Sequence, residues 1–336
     1  MSKKVEFLKL AHKALQDLPL TEEECLAVLR CPDEEILELL QATFIVRKKY
    51  FGKKVYLHML INAKSGLCTE DCSYCSQSAV SKASIEKYPL VDAETIIMGA
   101  KDALRAKAKR YCIVSSGHSP HEKDLRVICE AVRGIKKEVG IEICTSLGIL
   151  NEDTALALKE AGVDRYNHNI NTSERFYSSI CSTHTFEDRI QTLRHARGAG
   201  MELCCGALFG MDESDKDIID TSLALKEISP DSIPINFLNP IPGTPLENSN
   251  QLTPLNCLAI LCLVRFLNPR TEIRVAGGRE HNLRSVQSLA LYPANSLFVS
   301  GYLTTSGQTP EQAQEMIKDM GFEVELERSM EIASEM

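Results

Sequence analysis

The sequence predicts a TIM-type (β/α)8 barrel preceded by an N-terminal helical extension. From Lys53 onward, eight short β-rich segments alternate with amphipathic helical stretches, a pattern typical of parallel βα units that close into a barrel. The length of 336 residues leaves room for the roughly 250 residues of such a barrel. A doubly wound open sheet is the alternative, but no Gly-x-Gly-x-x-Gly motif follows the first strand.

The first 52 residues are predicted to be helical, because Thr21 and Glu24 have capping-box spacing and Pro32 opens a second helical stretch that ends at Gly52. We predict strands at 55–62, 110–115, 141–146, 165–169, 202–207, 232–237, 272–276 and 296–299. The helices between and after them are predicted at 92–107, 123–138, 151–161, 186–198, 216–228, 254–267 and 310–320. The chain therefore divides into a helical extension (1–52), a barrel (53–322) and an acidic tail (323–336).

Composition excludes several classes of protein. Hydrophobic residues make up 44% and charged residues 25% of the chain, as in a soluble globular protein. The net charge of −8 disfavours a general nucleic-acid binder. Because no apolar stretch is long enough to span a membrane and the N-terminus lacks a secretory signal, we expect a cytoplasmic protein. In that compartment thirteen cysteines indicate metal or redox chemistry.

Alternation along the strands predicts which side chains face the lumen of the barrel. The outward side of each strand must be apolar, since it is sealed against helices. The inward set is then Cys112, Cys144, Cys204 and Arg274, with Asn167, Asn169, Asn171 and Asn236. Burying such groups without partners costs several kcal/mol each. The lumen is therefore predicted to be a binding site rather than a hydrophobic filling.

Three further cysteines, Cys68, Cys72 and Cys75, lie in the loop after the first strand at spacings of four and three. Their thiolates can converge on one centre. An iron–sulfur cubane normally takes four cysteines, so three would leave one iron open to another ligand. A structural zinc ion is the alternative, but it requires four ligands, and no second cysteine pair or His-x3-His stands nearby.

The motif Cys-x3-Cys-x2-Cys after the first strand, with an aromatic residue before the last cysteine, resembles the radical S-adenosylmethionine (radical SAM) superfamily. The chain is most similar to its biotin synthase family, from Val55 to about Val324. The matching stretches are NAKSGLCTEDCSYCSQS, RYNHNINTS, SIPINFLNPIPGTPLE, IRVAGGRE and ANSLFVSGYLTT. The resemblance implies S-adenosylmethionine as cosubstrate, dethiobiotin as substrate and biotin as product.

The same resemblance implies two clusters. Cys68, Cys72 and Cys75 would hold a [4Fe–4S] cluster whose open iron takes S-adenosylmethionine, which is cleaved to methionine and a 5′-deoxyadenosyl radical. An auxiliary [2Fe–2S] cluster would donate sulfur, with Cys112, Cys144, Cys204 and Arg274 as its ligands. Arginine is an unusual ligand because its pKa exceeds ~12. The alternative for Arg274 is an ion pair in the lumen with Glu142, Glu202 or Glu272.

Further residues match binding positions of the family. The cofactor-binding set is Tyr74, Asn169 and Asn171, and the substrate-binding set is Asn169, Asn236, Thr304 and Thr305. Amides suit the ureido group of dethiobiotin, since each offers a donor and an acceptor. The alternatives are that the asparagines bridge barrel backbone and that the threonines belong to a simple turn.

Several points stay open at this stage. Cys205 replaces Cys204 as a ligand if the fifth strand bulges, and Cys181, after the fourth strand, has no assigned role. A larger auxiliary cluster is therefore an alternative to [2Fe–2S]. The family also implies a flavodoxin or ferredoxin electron donor and a homodimer. The competing functions are a related radical SAM enzyme, such as a hydrogenase-cofactor maturase, and a barrel with structural zinc at Cys68–Cys75.

Overall fold

A computed structural model describes residues 6–249 and 251–325. Its N-terminal part contains the helices α1 (Phe7–Leu15), α2 (Glu22–Leu29) and α3 (Ile36–Phe51). The predicted capping box is present at the start of α2, where the Thr21 hydroxyl accepts a hydrogen bond from the Glu24 backbone. The second helical stretch begins later than predicted, because Pro32 is followed by a 3₁₀ turn at Asp33–Glu35.

Within the described residues, nine parallel strands form the closed barrel. They are β1 (Lys54–Lys64), β2 (Arg110–Ser115), β3 (Glu142–Ser146), β4 (Arg165–Asn167), β5 (Glu202–Cys204), β6 (Ala207–Phe209), β7 (Ser232–Phe237), β8 (Glu272–Val275) and β9 (Ser296–Phe298). The short strands β5 and β6 share one position, both pairing with β7, so the barrel has eight positions. Because β9 pairs with β1, the sheet is closed. The predicted barrel is confirmed, and the open sheet is excluded.

The other helices are α4 (Ala93–Arg105), α5 (Glu122–Glu138), α6 (Glu152–Ala161), α7 (Glu174–Tyr177), α8 (Phe186–Gly198), α9 (Asp215–Ile228), α10 (Pro254–Leu267), α11 (Arg279–Leu283) and α12 (Pro310–Asp319). The predicted bounds of α8 and α10 agree with the structure. The short α7, α11 and the 3₁₀ helix Arg284–Leu291 were not predicted. In the described ranges no helix has the length and apolar character needed to span a bilayer.

The fifth barrel position differs from the prediction of one strand at 202–207. The pairing is interrupted at Gly206, where a side chain would come within 1.8 Å of the Pro234 carbonyl oxygen. The Gly206 N–H donates instead to the Asn169 side-chain oxygen at 3.0 Å. The neighbouring β4 ends at Asn167, two residues earlier than predicted.

The two faces of the barrel strands contribute to separate clusters of buried residues. Tyr111, Ile113 and Ile143 belong to the large core between strands and helices. The inward side of the same strands contributes a separate small cluster, which consists of Cys112, Cys144, Cys204, Ala276 and Phe298.

A last strand, β10 (Glu323–Val324), pairs in parallel with the start of β1. The sheet thus extends past the predicted boundary at residue 322. The rest of the predicted acidic tail, residues 326–336, lies outside the described residues.

Candidate active site

The first group of cysteines, here called the loop thiols, consists of Cys68, Cys72 and Cys75 in the loop after β1. All three line one cavity of about 190 Å³. The loop is tightened by a hydrogen bond from the Cys75 N–H to the Cys72 carbonyl at 3.1 Å. Burial raises the pKa of Cys75 to about 11 and also raises the pKa of Cys68. Because a soft cation favours thiolate ligands, three convergent cysteines suit an iron–sulfur cluster with one iron left open.

Cys181 lies beside the loop thiols, in the segment after α7. Its Sγ is 3.8 Å from Sγ of Cys72 and 3.2 Å from Oδ1 of Asp71. The hydrogen bond with Cys72 is the largest influence on the Cys181 thiol and lowers its pKa to about 4 against the effect of burial. Cys181 therefore has no contact with the lumen cysteines and is placed beside the other group.

Cys72, Cys181 and His184 also form a group whose possible ligand atoms lie within 4.8 Å of one another. This proximity is the best support for the zinc alternative. However, both ring nitrogens of His184 already have partners. Nδ1 hydrogen-bonds the Glu70 carboxylate, and Nε2 lies 2.8 Å from Nη2 of Arg189, which donates to it. A ring held by an anion on one side and a cation on the other positions the loop rather than binds a metal ion.

The second group, here called the lumen thiols, consists of Cys112, Cys144 and Cys204. Register places Cys112 beside Cys144, since the two pair across β2 and β3, and Cys204 packs in the same small cluster. All three are buried. The neighbouring Cys144 thiol lowers the pKa of Cys112, whereas burial raises the pKa of Cys204. Cys205 packs in the helix-side core instead.

Arg274 adds a cation to the lumen thiols. Its Nη1 lies 3.6 Å from Sγ of Cys204. Its Nη2 donates to Glu272 at 2.6 Å and to the Ser232 hydroxyl at 2.9 Å. Burial works against the charge of Arg274, but Glu272 and Cys204 raise its pKa above the ordinary value. The contact with a cysteine and the ion pair with Glu272 are thus both present, although the sequence treated them as alternatives.

A cavity of about 250 Å³ opens at the carboxyl ends of the strands, where barrel enzymes hold their active sites. Cys75 lines it, as does Tyr302, which also packs against the lumen thiols. The predicted binding residues all line this cavity, namely Tyr74, Asn169, Asn171, Asn236, Thr304 and Thr305. The cavity thus borders the loop thiols at Cys75 and adjoins the lumen thiols through Tyr302.

The side-chain amides at the cavity have hydrogen-bond partners within the protein. Asn236 spans backbone groups, since Nδ2 donates to the Ala207 carbonyl at 3.0 Å and Oδ1 accepts from the Gly277 N–H at 2.9 Å. Oδ1 of Asn169 accepts from Gly206 as described above. The alternative of backbone bridging is thus present for both residues. Asn171 differs, because its Nδ2 donates to the Tyr74 hydroxyl at 2.7 Å and so ties the segment after β4 to the loop that carries the loop thiols.

The two threonines have different surroundings. The Thr304 hydroxyl lies 2.9 Å from the Ser76 hydroxyl and so connects the segment after β9 with the cysteine loop. The Thr305 hydroxyl donates to the Tyr302 carbonyl at 2.8 Å within a turn, which is the simple role that the sequence left as an alternative.

Sequence reasoning missed Arg189, which lines both cavities. It is buried on α8 and donates to the Asn169 carbonyl at 2.9 Å and to the Tyr177 hydroxyl. One sequence signal was available: Arg189 shares the buried face of its helix with Leu193 and Ala196, and a cation on an apolar face requires buried partners.

A closed parallel barrel with three convergent cysteines in its first loop and a polar lumen defines a radical SAM enzyme, and residues 64–225 match the Radical SAM superfamily. Residues 234–323 match the Biotin and Thiamin Synthesis associated domain. The chain is 51% identical to the biotin synthase of Bacillus subtilis strain 168 over 95% of this chain and 96% of the relative. It is 50% identical to that of Geobacillus kaustophilus, with the same coverage. The chain belongs to the biotin synthase family.

Solved structures show the same fold at low sequence identity. Methylornithine synthase aligns with a TM-score of 0.84 at 22% identity, covering 97% of this chain and all (100%) of that chain. The FeFe-hydrogenase maturase of Carboxydothermus hydrogenoformans aligns at 0.79 with 20% identity, covering 94% and 78%. Because the biotin synthases are far more similar in sequence, the maturase alternative is not favoured.

Proposed function

We propose that this chain inserts sulfur into dethiobiotin to form biotin, using two iron–sulfur clusters at opposite sides of one cavity. The observation that carries the proposal is the separation of the cysteines into two groups. The loop thiols lie at the mouth, the lumen thiols lie deeper, and Tyr302 contacts both the cavity and the lumen thiols. The barrel thus has room for a substrate between two soft ligand sets.

Cys68, Cys72 and Cys75 would hold a [4Fe–4S] cluster, and Cys112, Cys144, Cys204 and Arg274 would hold the auxiliary cluster. When bound, the first supplies the electron that cleaves S-adenosylmethionine and the second supplies the sulfur atom. Four inward donors match the number of ligands that a [2Fe–2S] cluster takes. Cys205 packs toward the helices, and Cys181 lies beside Cys72, so neither is a fifth ligand.

Tyr74 and Asn171 would bind the cofactor beside the loop thiols. Their mutual hydrogen bond fixes the Asn171 amide, whose carbonyl oxygen remains suited to accept from a ribose hydroxyl. Its φ of +67° lies in the left-handed region, which asparagine tolerates better than most residues. The bond therefore holds the amide in one orientation at the edge of the cavity.

Asn169, Asn236, Thr304 and Thr305 would contact dethiobiotin. An amide nitrogen has two donors and an amide oxygen accepts two hydrogen bonds. Asn236 therefore keeps capacity for the neutral ureido group after its two backbone bonds. That same backbone bridging holds the side chain rigid before substrate binds, which reduces the entropy lost on binding.

The family resemblance supports three further proposals: a cytoplasmic location, a flavodoxin or ferredoxin as electron donor, and a homodimer. Each has a direct measurement, respectively cell fractionation, reduction assays with the purified donor, and sedimentation of the purified protein.

The reaction is tested by an anaerobic assay with dethiobiotin, S-adenosylmethionine and a reductant, in which biotin and 5′-deoxyadenosine are measured together. We expect Cys144→Ala to leave S-adenosylmethionine cleavage measurable while abolishing biotin, because the side chain belongs to the auxiliary site only. Cys205→Ala is the matched control. Cys205 follows Cys204 in the sequence and is also buried, but it faces the helices. If Cys144→Ala still forms biotin, the sulfur-donor assignment is wrong.

A further inference from the structure

A single buried carboxylate lies beneath the lumen thiols. Glu272 begins β8 and shares its inward side with Arg274, two residues later. Its Oε1 accepts from Arg274 Nη2 at 2.6 Å and from the Ser296 hydroxyl at 2.9 Å. Its Oε2 accepts from Arg165 Nη1 at 3.1 Å. The side chain is 8% exposed, so these bonds are formed largely out of water.

A further cation, Arg110, and the ring of His58 face the same carboxylate. Nη1 of Arg110 lies 3.6 Å from it, and Nε2 of His58 lies 3.0 Å from it. The other acidic residues of this end of the barrel, Glu142 and Glu202, pair with Arg110 and Arg165 from outside. They are 28% and 51% exposed. Among the described residues, Glu272 is therefore the deeply buried anion of the network.

Glu272 also restricts the orientation of Arg274. A guanidinium is planar, so fixing one terminal nitrogen fixes the other. Nη2 is held by Glu272 and by Ser232. This leaves Nη1 directed to Cys204 Sγ, at 3.6 Å. The two bonds to Nη2 therefore determine that Nη1 is the nitrogen that approaches the thiols.

We propose that Glu272 is a positioning residue that directs Nη1 of Arg274 to the auxiliary cluster. The inference rests on the proposed function, because it takes that cluster to be bound by Arg274. Its physical basis is twofold. The carboxylate holds Nη2 by a charge-assisted hydrogen bond, which is stronger than a neutral one. It also draws the positive charge of the guanidinium toward Nη2 and away from Nη1, the nitrogen that faces Cys204.

Three variants separate positioning from a general effect of charge. Glu272→Gln keeps the size of the side chain and an oxygen acceptor but removes the charge. Glu202→Gln is the matched control, since it removes the same charge at the exposed rim, where Glu202 bonds Arg165 at 2.9 Å. Ser232→Ala removes the second bond to Nη2 without changing charge, so it remains informative if Glu272→Gln does not fold.

The readouts are Mössbauer and absorption spectra of the anaerobically reconstituted protein, together with the rate at which a chelator removes iron. We expect Glu272→Gln to change the signals of the auxiliary cluster and to accelerate its iron loss several-fold. Ser232→Ala should do the same to a smaller extent, and the [4Fe–4S] signals should stay unchanged in both. Glu202→Gln should match the unsubstituted protein in every readout.

Unchanged auxiliary signals and chelation rates in both Glu272→Gln and Ser232→Ala would overturn the positioning role alone, provided that the unsubstituted protein contains two clusters. If Glu202→Gln changes the auxiliary signals as much as Glu272→Gln does, charge rather than positioning explains the effect and the inference is also overturned. An unsubstituted protein with one cluster type would instead overturn the proposed function and, with it, this inference.

Discussion

The loop thiols and the lumen thiols reach a similar convergence of three cysteines by different means. The loop thiols follow β1 in a segment held by side-chain bonds, such as the one from the Ser182 N–H to Asp71 at 2.9 Å. The lumen thiols lie on β2, β3 and β5, where backbone register within the sheet sets their spacing. Two of the loop thiols, Cys68 and Cys75, are only partly buried, whereas all three lumen thiols are buried.

This difference indicates a division of tasks. Loops at the carboxyl face of a barrel carry groups that meet exchangeable ligands, and rigid strands hold a geometry more accurately. The site that must bind and release S-adenosylmethionine is therefore placed at the mouth. The site that must retain sulfur until the substrate arrives is enclosed by strands.

The largest expected effect lies among the loop thiols. Cys72→Ala should abolish cleavage of S-adenosylmethionine, because two cysteines cannot retain the first cluster. The measurement is 5′-deoxyadenosine formed per chain under reducing anaerobic conditions. Cys181→Ala is the control, since Cys181 lies 3.8 Å from Cys72 but does not line the cavity of the loop thiols. Equal losses in the two variants would contradict the ligand assignment.

A substitution at the strand break, Gly206, should affect the lumen thiols and leave the loop thiols unchanged. In Gly206→Ala the new side chain would lie 1.8 Å from the Pro234 carbonyl oxygen, so β5 and β7 must move apart. Forcing extra atoms into packed structure typically costs about 1–3 kcal/mol. We expect a lower unfolding temperature and selective loss of auxiliary iron, measured by calorimetry and iron analysis. Gly198→Ala is the control, since no atom lies within 4 Å of its added side chain.

Features that depend on residues close in sequence were predictable, whereas features that depend on contacts between distant residues were not. The bounds of α8 and α10 were predictable because Thr185 and Thr253 are local caps. Strand parity likewise predicted the inward cysteines. The break at Gly206 was not predictable, since it depends on a contact with Pro234, 28 residues away in the sequence. Parity also pointed Arg274 inward but could not choose among Glu142, Glu202 and Glu272. That choice depends on Arg110 and Arg165, on other strands, which pair with the first two.

A smaller effect should be confined to cofactor binding. Tyr74→Phe removes the hydrogen bond from Asn171 Nδ2 while it keeps the ring. A hydrogen bond of this kind contributes about 1 kcal/mol, so we expect a several-fold higher KM for S-adenosylmethionine. The dependence of biotin formation on dethiobiotin concentration should not change. A higher KM for dethiobiotin instead would place Tyr74 at the substrate.

The smallest effect concerns how stability depends on pH near the mouth of the barrel. The buried Asp217 on α9 accepts from Ser173 and Arg175, each at 2.6 Å, and so anchors the segment after β4. Burial raises its pKa, but hydrogen bonds from Ser173 and Ser214 outweigh this and lower it below the ordinary value.

Since the folded pKa is depressed, the stabilisation by Asp217 is present above the unfolded pKa of about 3.9 and is lost as pH falls through the folded value. Asp217→Asn should therefore weaken the fall in unfolding temperature of the cluster-free protein below about pH 4. A fall as steep as in the unsubstituted protein would exclude Asp217 as its source.

The most direct test of two distinct metal sites is iron analysis with Mössbauer spectroscopy after anaerobic reconstitution. We expect about six iron atoms per chain, from one [4Fe–4S] and one [2Fe–2S] cluster, in two spectral components. In Cys144→Ala the [2Fe–2S] component alone should disappear. About four iron atoms in a single component, unaffected by Cys144→Ala, would show that the chain has one metal site and not two.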